Sequence, residues 1–82
     1  MPTAGSAADE DFAARVLPIV GANVSARRNH LGLSQRELSE QAGVDRMHVR
    51  AVELGTRAPT VIVLAKLAKA LDTTVTALTK GT

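Results

Sequence analysis

Two arginines four residues apart, Arg46 and Arg50, are the side chains whose type and spacing most directly suggest a chemical role. At about 100° per residue they share one face of a helix with Met47 and Ala51. Helix electrostatics do not explain them, because cations are disfavoured near a helix N-terminus. Arginine can bond to O6 and N7 of guanine in the major groove of DNA, and methionine or alanine can contact a thymine methyl group. The pattern therefore predicts a base-reading face, with a purely solubilising role for the arginines as the alternative.

Two short helices are needed to turn this face outward. Val49 and Val52 lie on the opposite side of the same helix, and Leu38 and Ala42 share one face of the segment before it. Two such faces, joined by a turn that contains Gly43, can bury each other only by crossing at a steep angle, which is the helix-turn-helix arrangement. The valine pair is therefore predicted to point inward and the arginine pair outward.

Capping residues predict where four of the helices begin. Ser34-Gln-Arg-Glu37 is a capping box that starts the second helix, and Asp45 is the N-cap of the third. Thr60 caps a fourth helix, and Thr73 or Thr74 caps a short last one. The apolar residues of the fourth helix recur at helical spacing: Val61, Leu64, Leu67, Ala68 and Leu71.

The start of the chain differs in composition from the rest. Residues 1–11 are small, polar and acidic, with no Lys or Arg, and are predicted to form a flexible acidic N-terminal arm. Residues 12–82 hold all ten Lys and Arg and five of the eight Asp and Glu, a net charge of +5, and are predicted to form the helix-turn-helix domain. An apolar pattern begins at Phe12, but Pro18 and Gly21 interrupt it, so the first helix is predicted from about Ile19 to His30. Residues 12–17 add a turn or short helix.

Composition excludes several classes of protein. At 82 residues the chain has room for one domain with a small core, which disfavours an enzyme with a long cleft. Without cysteine, neither a disulfide nor a thiolate zinc site can hold the fold. His30 and His48 stand in different predicted helices without a carboxylate cluster, so no metal, cofactor or catalytic site is predicted. Lys66 and Lys69 interrupt the longest apolar stretches, and the prediction is a cytoplasmic protein with no membrane contact.

Several motifs together carry a resemblance to a known family. They are Leu31-Gly-Leu-Ser-Gln-Arg-Glu-Leu38, the turn Ala42-Gly-Val44, Val-Glu-Leu-Gly55, Pro59-Thr60 and Leu67-Ala-Lys-Ala-Leu71. Through them, residues 19–81 resemble the Cro and phage-repressor type of helix-turn-helix protein, the XRE family. The resemblance implies an all-α, compact five-helix bundle, a lambda-repressor-like DNA-binding domain. It also implies a two-fold dimer on operator DNA, with the third helix in the major groove.

The resemblance also implies roles for individual residues. Gln35 matches a glutamine that bonds a backbone phosphate and braces the reading helix, and Arg57 is a second phosphate contact. Arg28 and Glu53 match a partly buried ion pair of some members, which gives them a structural role. The implied base readers are Arg46, Met47, Arg50 and Ala51.

Three further residues keep two interpretations each. Arg27 and Arg36 either reach the phosphate backbone or are solvated, and His48 is either a phosphate contact or a partly packed surface histidine. Ala77 stands where many relatives have an aromatic residue, so the C-terminal packing or dimer contact is expected to differ from theirs.

The leading functional prediction is a repressor or autoregulator of bacterial or phage origin, for example a controller of a restriction-modification or mobile-element operon. It would bind an inverted repeat in double-stranded DNA as a homodimer, associated with the nucleoid when bound. The expected dimer contacts are the fifth helix, its preceding loop and the segment after the third helix. The alternative is an antitoxin or anti-repressor module whose partner is a protein such as a toxin. Glu37 and Glu40 resemble an acidic surface that contacts RNA polymerase in some family members.

Overall fold

The computed structural model describes residues 7–82, and these residues form five helices and no strand. The helices are α1 (Ala7–His30), α2 (Gln35–Ala42), α3 (Arg46–Leu54), α4 (Val61–Ala70) and α5 (Val75–Leu78). The predicted all-helical five-helix architecture is confirmed. None of these helices is both long enough and apolar enough to span a membrane.

Side-chain caps begin the four short helices as predicted. The hydroxyl groups of Ser34, Thr60 and Thr74, and the carboxylate of Asp45, accept hydrogen bonds from backbone N–H groups two or three residues further on. The carboxylate of Glu37 accepts from the backbone N–H of Ser34, which completes the capping box. These bonds satisfy backbone donors that a helix leaves unpaired in its first turn.

Helix α1 differs from its prediction, because it runs without a break from Ala7 and passes through Pro18. The predicted start at Ile19 is wrong. Acidic residues in the first turn, Asp9 and Glu10, favour the earlier start because they complement the positive end of the helix dipole. Of the predicted N-terminal arm, residues 1–6 lie outside the described residues, and residues 7–11 are the first turns of α1. The division of the chain into arm and domain stays a prediction.

The core is small, aliphatic and drawn from all five helices. It contains no aromatic side chain, because the single Phe of the sequence, Phe12, is exposed. Val61 was predicted on the apolar face of α4 but is 72% exposed, since α4 is covered only from Val63 onward. The buried residues are Val20, Val24, Leu38, Val44, Val49, Val52, Leu64, Leu67, Ala68, Leu71 and Leu78.

A glycine allows α1 to approach α3 closely. A Cβ atom added at Gly21 would lie 2.5 Å from the carbonyl oxygens of Val52 and Glu53, a distance that real side chains do not tolerate. At the end of α3, a Cβ atom at Gly55 would lie 3.0 Å from the backbone nitrogen of Pro18. The end of α3 therefore rests on the backbone of α1, and this contact fixes the position of the arginine-bearing helix.

Replacing Gly21 with alanine tests this close approach. Alanine normally stabilises a helix interior relative to glycine, by about 0.5–1 kcal/mol. At position 21 we expect the opposite sign, a loss of about 1–3 kcal/mol, because the methyl group overpacks the crossing. The free energy of unfolding would be measured in urea by far-ultraviolet circular dichroism. Ala26→Gly, at an exposed position of α1, gives the propensity effect alone, and a Gly21→Ala protein more stable than the wild type would contradict the contact.

Candidate nucleic-acid interface

The rotation of α3 about its axis agrees with the sequence-based prediction. Val49 and Val52 are 0% and 1% exposed, whereas Arg46 and Arg50 are exposed on the other side. Met47 is 74% exposed, although contact of such a large apolar side chain with water is unfavourable. The inward valine pair and the outward arginine pair are confirmed.

The turn between α2 and α3 is held by hydrogen bonds to a single serine. The hydroxyl group of Ser39 donates to the carbonyl oxygen of Val44 at 2.6 Å. The backbone carbonyl of Ser39 accepts from the N–H groups of Gly43 and Val44, and Gly43 adopts the left-handed conformation with φ at 65°. The small side chain of Ser39 thus fits between the two helices and fixes the angle at which α3 leaves the turn.

A cleft of about 260 Å³ opens where the beginnings of α2 and α3 meet. One side chain of α2, Gln35, lines it together with three of α3, namely Arg46, Met47 and Arg50. Two guanidinium groups and a carboxamide give this cleft many hydrogen-bond donors and positive charge. Such a surface suits an anionic ligand that presents oxygen or ring-nitrogen acceptors, as the edge and backbone of a nucleic acid do.

An ion pair links α1, α2 and α3 behind the cleft. Nε of Arg28 lies 2.7 Å from Oε2 of Glu53, and Nη2 lies 3.0 Å from Oε1, so the pair is bidentate. The third nitrogen of Arg28, Nη1, donates to the carbonyl oxygen of Leu33 at 2.8 Å. The carboxylate of Glu53 also accepts from Nε2 of Gln35 at 3.1 Å. One carboxylate therefore connects the helix that carries the arginines to the first residue of α2.

The ion pair is well sheltered from water. The side chains of Arg28 and Glu53 are only 14% and 6% exposed. The hydrogen bonds that Arg28 donates to Glu53 raise the pKa of Arg28 above its ordinary value, with burial acting in the opposite direction. In the neighbouring capping box, the hydrogen bonds from Ser34 hold the pKa of Glu37 below its ordinary value. Both groups remain charged at neutral pH, so the frame around the cleft is ionic under physiological conditions.

Two of the predicted phosphate contacts, Arg27 and His48, turn part of their side chains toward the domain itself. Nε and Nη2 of Arg27 donate to the carbonyl oxygens of Leu71 and Asp72, at 2.8 and 3.0 Å, so this guanidinium closes the end of α4. Nε2 of His48 is buried and has no hydrogen-bond partner among residues 7–82, which directs that edge of the ring into the protein. Burial of this edge agrees with the partly packed interpretation of His48. The roles of Arg27 and His48 as phosphate contacts stay predictions. Arg36 and Arg57 are exposed.

Sequence reasoning missed the role of Asn23. Its Nδ2 atom donates to the carbonyl oxygens of Leu78 and Lys80, at 3.0 and 2.9 Å, and ties α5 to α1. Asparagine is a poor helix former, so its occurrence inside a predicted helix was the one signal in the sequence that its side chain makes a tertiary contact. Sequence reasoning also assigned no surface role to Val61 or Ile62, which are 72% and 66% exposed at the start of α4.

Comparison with protein families gives a match at this same part of the chain. A family model described as helix-turn-helix, HTH_3, matches residues 24–78. A protein of Sinorhizobium fredii, described as an uncharacterized HTH-type transcriptional regulator, is 40% identical over 53 residues, 65% of this chain and 69% of that protein. Another so described, from Methanothermobacter thermautotrophicus, is 40% identical over 48 residues, 58% of this chain and 70% of that protein.

Solved structures share the fold. The restriction-modification controller protein C.AhdI of Aeromonas hydrophila superposes with a TM-score of 0.74 at 37% identity, over 76% of this chain and 94% of that one. The hypothetical transcription factor NHTF of Neisseria gives 0.75 at 31% identity, over 78% and 74% of the two chains. An HTH_3 family regulator of Vibrio cholerae gives 0.77 at 23% identity, covering 80% of this chain and 37% of that one, and supports the fold alone. The proteins matched here are described as transcriptional regulators, a transcription factor or a controller protein, and none as an enzyme.

Truncating Glu53 tests the ion pair that supports the cleft. Glu53→Ala leaves the guanidinium of Arg28 sheltered without its counter-charge, and we expect a loss of about 3–5 kcal/mol in the free energy of unfolding. The double variant Arg28→Met with Glu53→Leu removes both charges and is expected to recover most of that loss. Urea unfolding measures both.

Gln35→Ala serves as the mild comparison for this network. It removes one hydrogen bond to Glu53 and should cost only about 0.5–1.5 kcal/mol. A Glu53→Ala protein no less stable than Gln35→Ala would show that the carboxylate does not organise the three helices.

Proposed function

The chain belongs to the HTH_3 helix-turn-helix family of transcriptional regulators, and from this premise we propose that it binds an inverted-repeat operator as a homodimer and represses transcription. The observation that carries the proposal is the rotation of α3, which buries Val49 and Val52 and leaves Arg46 and Arg50 to face a groove. Both arginines lie outside the core and outside the ion pair of Arg28, so their donors are available to a ligand.

We assign base reading to the outward face of α3. Arg46 and Arg50 are suited to guanine, since each guanidinium can donate two hydrogen bonds to O6 and N7. Met47 and Ala51 are suited to a thymine methyl group, and contact with it would remove the exposed Met47 side chain from water. A half-site that contains guanine and thymine next to each other is therefore the expected target.

Gln35, Arg57 and Arg36 are the proposed phosphate contacts. A carboxamide has two N–H donors, and the Nε2 atom of Gln35 bonds to Glu53, which leaves its second hydrogen for a phosphate oxygen. Gln35 is also the first residue of α2, where the positive end of a helix dipole favours an anion. Arg57 lies in the loop after α3 and Arg36 on the first turn of α2, and both are exposed. These contacts would set the register of α3 without reading sequence.

The homodimer is proposed from the exposed apolar side chains at the far end of α3. Leu54, Val61 and Ile62 flank the α3–α4 loop and are 60%, 72% and 66% exposed; we call them the apolar corner. Half-sites of an inverted repeat lie one helical turn apart, about 34–36 Å from centre to centre. A dimer joined at the apolar corner would place the two reading faces on opposite sides of its two-fold axis. Exposed apolar groups of this kind commonly mark protein interfaces.

The similarity to the restriction-modification controller C.AhdI, at 37% identity over most of that chain, supports a controller or autoregulator as the biological role. Such a protein acts on the nucleoid in the cytoplasm. Selection of bound sequences from random duplex DNA tests the proposal most directly, since it gives the half-site and its symmetry together. Recovery of no enriched sequence, with a protein partner captured in equal amount instead, would favour the antitoxin or anti-repressor alternative.

Arginine-to-alanine variants separate base reading from phosphate contact. Arg46→Ala should lose about 1–3 kcal/mol of preference for the selected base at one position, while Arg57→Ala should weaken all sequences alike and lower the salt slope by about one. Binding of labelled duplexes, selected and random, would be measured at several salt concentrations, because affinity falls steeply with salt when counterions are released. Equal losses on both duplexes for Arg46→Ala would remove it from the reading face.

Ile62→Asp tests the apolar corner. The side chain is mostly exposed, so we expect the fold to be retained and the dimer dissociation constant to rise at least tenfold, because a charge would be buried at the interface. Sedimentation equilibrium measures the constant, and circular dichroism checks the fold. Leu31→Asp, at an exposed leucine after α1, is the matched control and should dimerise normally. Wild-type dimerisation by Ile62→Asp would locate the interface elsewhere.

A further inference from the structure

The N-terminal half of α1 lies outside the part of the chain that the family model matches, which begins at residue 24. On the side of α1 that faces the core, an apolar residue occurs every four positions. The burial of these residues decreases toward the N-terminus of the helix. Val24 is fully buried, Val20 is 4% exposed, Val16 packs partly against the core, and Phe12 is 56% exposed. The apolar face of α1 therefore continues beyond the body of the domain. We call residues 8–17 the α1 overhang.

Phe12 is the main apolar group of the overhang. The guanidinium of Arg15 lies over its ring, 5.1 Å from the centroid, yet more than half of the side chain is still exposed. Full burial of an aromatic side chain removes 150–250 Å² from water, which makes such residues frequent anchors of interfaces. Phe12 lies on the same side of α1 as the buried valines, but no part of the domain buries it fully. A second molecule could therefore bury it.

The overhang leaves the body between the ends of α3 and α5. Its last residues meet Gly55, where a Cβ atom would lie 3.2 Å from the carbonyl carbon of Leu17. One residue beyond the following proline, Ile19 lies against Gly81, with its Cγ2 atom 3.5 Å from the position of an added Cβ. Leu54, part of the apolar corner, directly precedes Gly55. The overhang thus begins at the end of the domain to which the dimer contact is assigned.

From this placement we infer that the α1 overhang packs against a second copy of this chain and forms the outer part of the dimer interface, an inference that rests on the proposed homodimer. A specific interface buries about 800 Å² on each partner and involves 20–30 residues a side. The three side chains of the apolar corner are too few to supply this area alone. Two-fold symmetry repeats every contact, so the two overhangs of a dimer would together add two buried Phe12 side chains.

Charge favours a protein copy over DNA as the occupant. Glu10 and Asp11 are exposed on the overhang, whereas residues 12–82 carry a net charge of +5. The acidic end of one overhang is therefore attracted to the surface of another copy and repelled by phosphates. The same repulsion would keep the overhang away from the operator while the reading face binds it.

A fluorine probe tests the inference, because Phe12 is the only phenylalanine of the chain. Uniform labelling with 4-fluorophenylalanine places one fluorine in the protein, in the middle of the overhang. We expect its ¹⁹F resonance to shift with protein concentration along the same curve as dimer formation measured by sedimentation equilibrium. Phe12→Ser should raise the dimer dissociation constant at least tenfold, while Ala14→Ser, at an exposed site on another side of the overhang, should leave it unchanged.

The outcomes separate this inference from the proposed function. A dimer whose ¹⁹F resonance does not change, or a Phe12→Ser protein that dimerises like the wild type, would overturn the overhang contact and leave the apolar corner standing. A chain that stays monomeric at every concentration, free and on DNA, would overturn both the overhang contact and the homodimer. A dimer with the expected ¹⁹F shift that binds no DNA would support the overhang contact and overturn the proposed operator binding.

Discussion

The orientation of α3 about its own axis depends on two constraints, the burial of two valines and an ion pair. Burial of Val49 and Val52 is worth about 1.5–3 kcal/mol for each side chain, and a rotation of one residue, about 100°, would expose them. The carboxylate of Glu53 adds a directional constraint, since it bonds to both Arg28 and Gln35. Buried ion pairs contribute little net stability compared with apolar packing, but breaking one is costly. The pair therefore selects one orientation of α3 over others.

The outward face of α3, to which we assign base reading, breaks local rules that the rest of the chain obeys. Caps and glycines agree with the helix boundaries almost everywhere, yet Arg46 stands at the positive end of α3 and Met47 is 74% exposed. Departures from local preference concentrate at functional sites, where another interaction compensates for them. The N-cap Asp45 offsets part of the charge at the beginning of α3, since its carboxylate accepts from two backbone N–H groups there. The face is thereby kept compatible with a helix while its cations remain available.

Local chemistry in the sequence was sufficient to predict α2 to α5 and the outward face of α3. The capping box at Ser34 and the periodic valines of α3 are short-range signals, and tertiary packing agrees with them. The predicted start of α1 was wrong because it treated Pro18 and Gly21 as helix breakers from local preference alone. Gly21 is required by the crossing with α3. The place of Arg27 could not be predicted, because it depends on where the end of α4 lies in three dimensions.

Three polar side chains of α1 each bond to a different part of the domain. Together they explain how five helices with so small a core keep a single relative arrangement. Asn23 donates to carbonyl oxygens at the end of α5, Arg27 to those at the end of α4, and Arg28 to Glu53 of α3. Helix ends leave carbonyl groups unpaired and carry partial negative charge, so donors from α1 both satisfy and neutralise them. Helix α3, with its proposed reading face, and the helices near the proposed dimer contact are thus positioned by the same element, α1. In a dimer, the geometry of α1 would therefore set the spacing of the two proposed reading faces. Operator binding would then depend on side-chain packing that lies far from the groove.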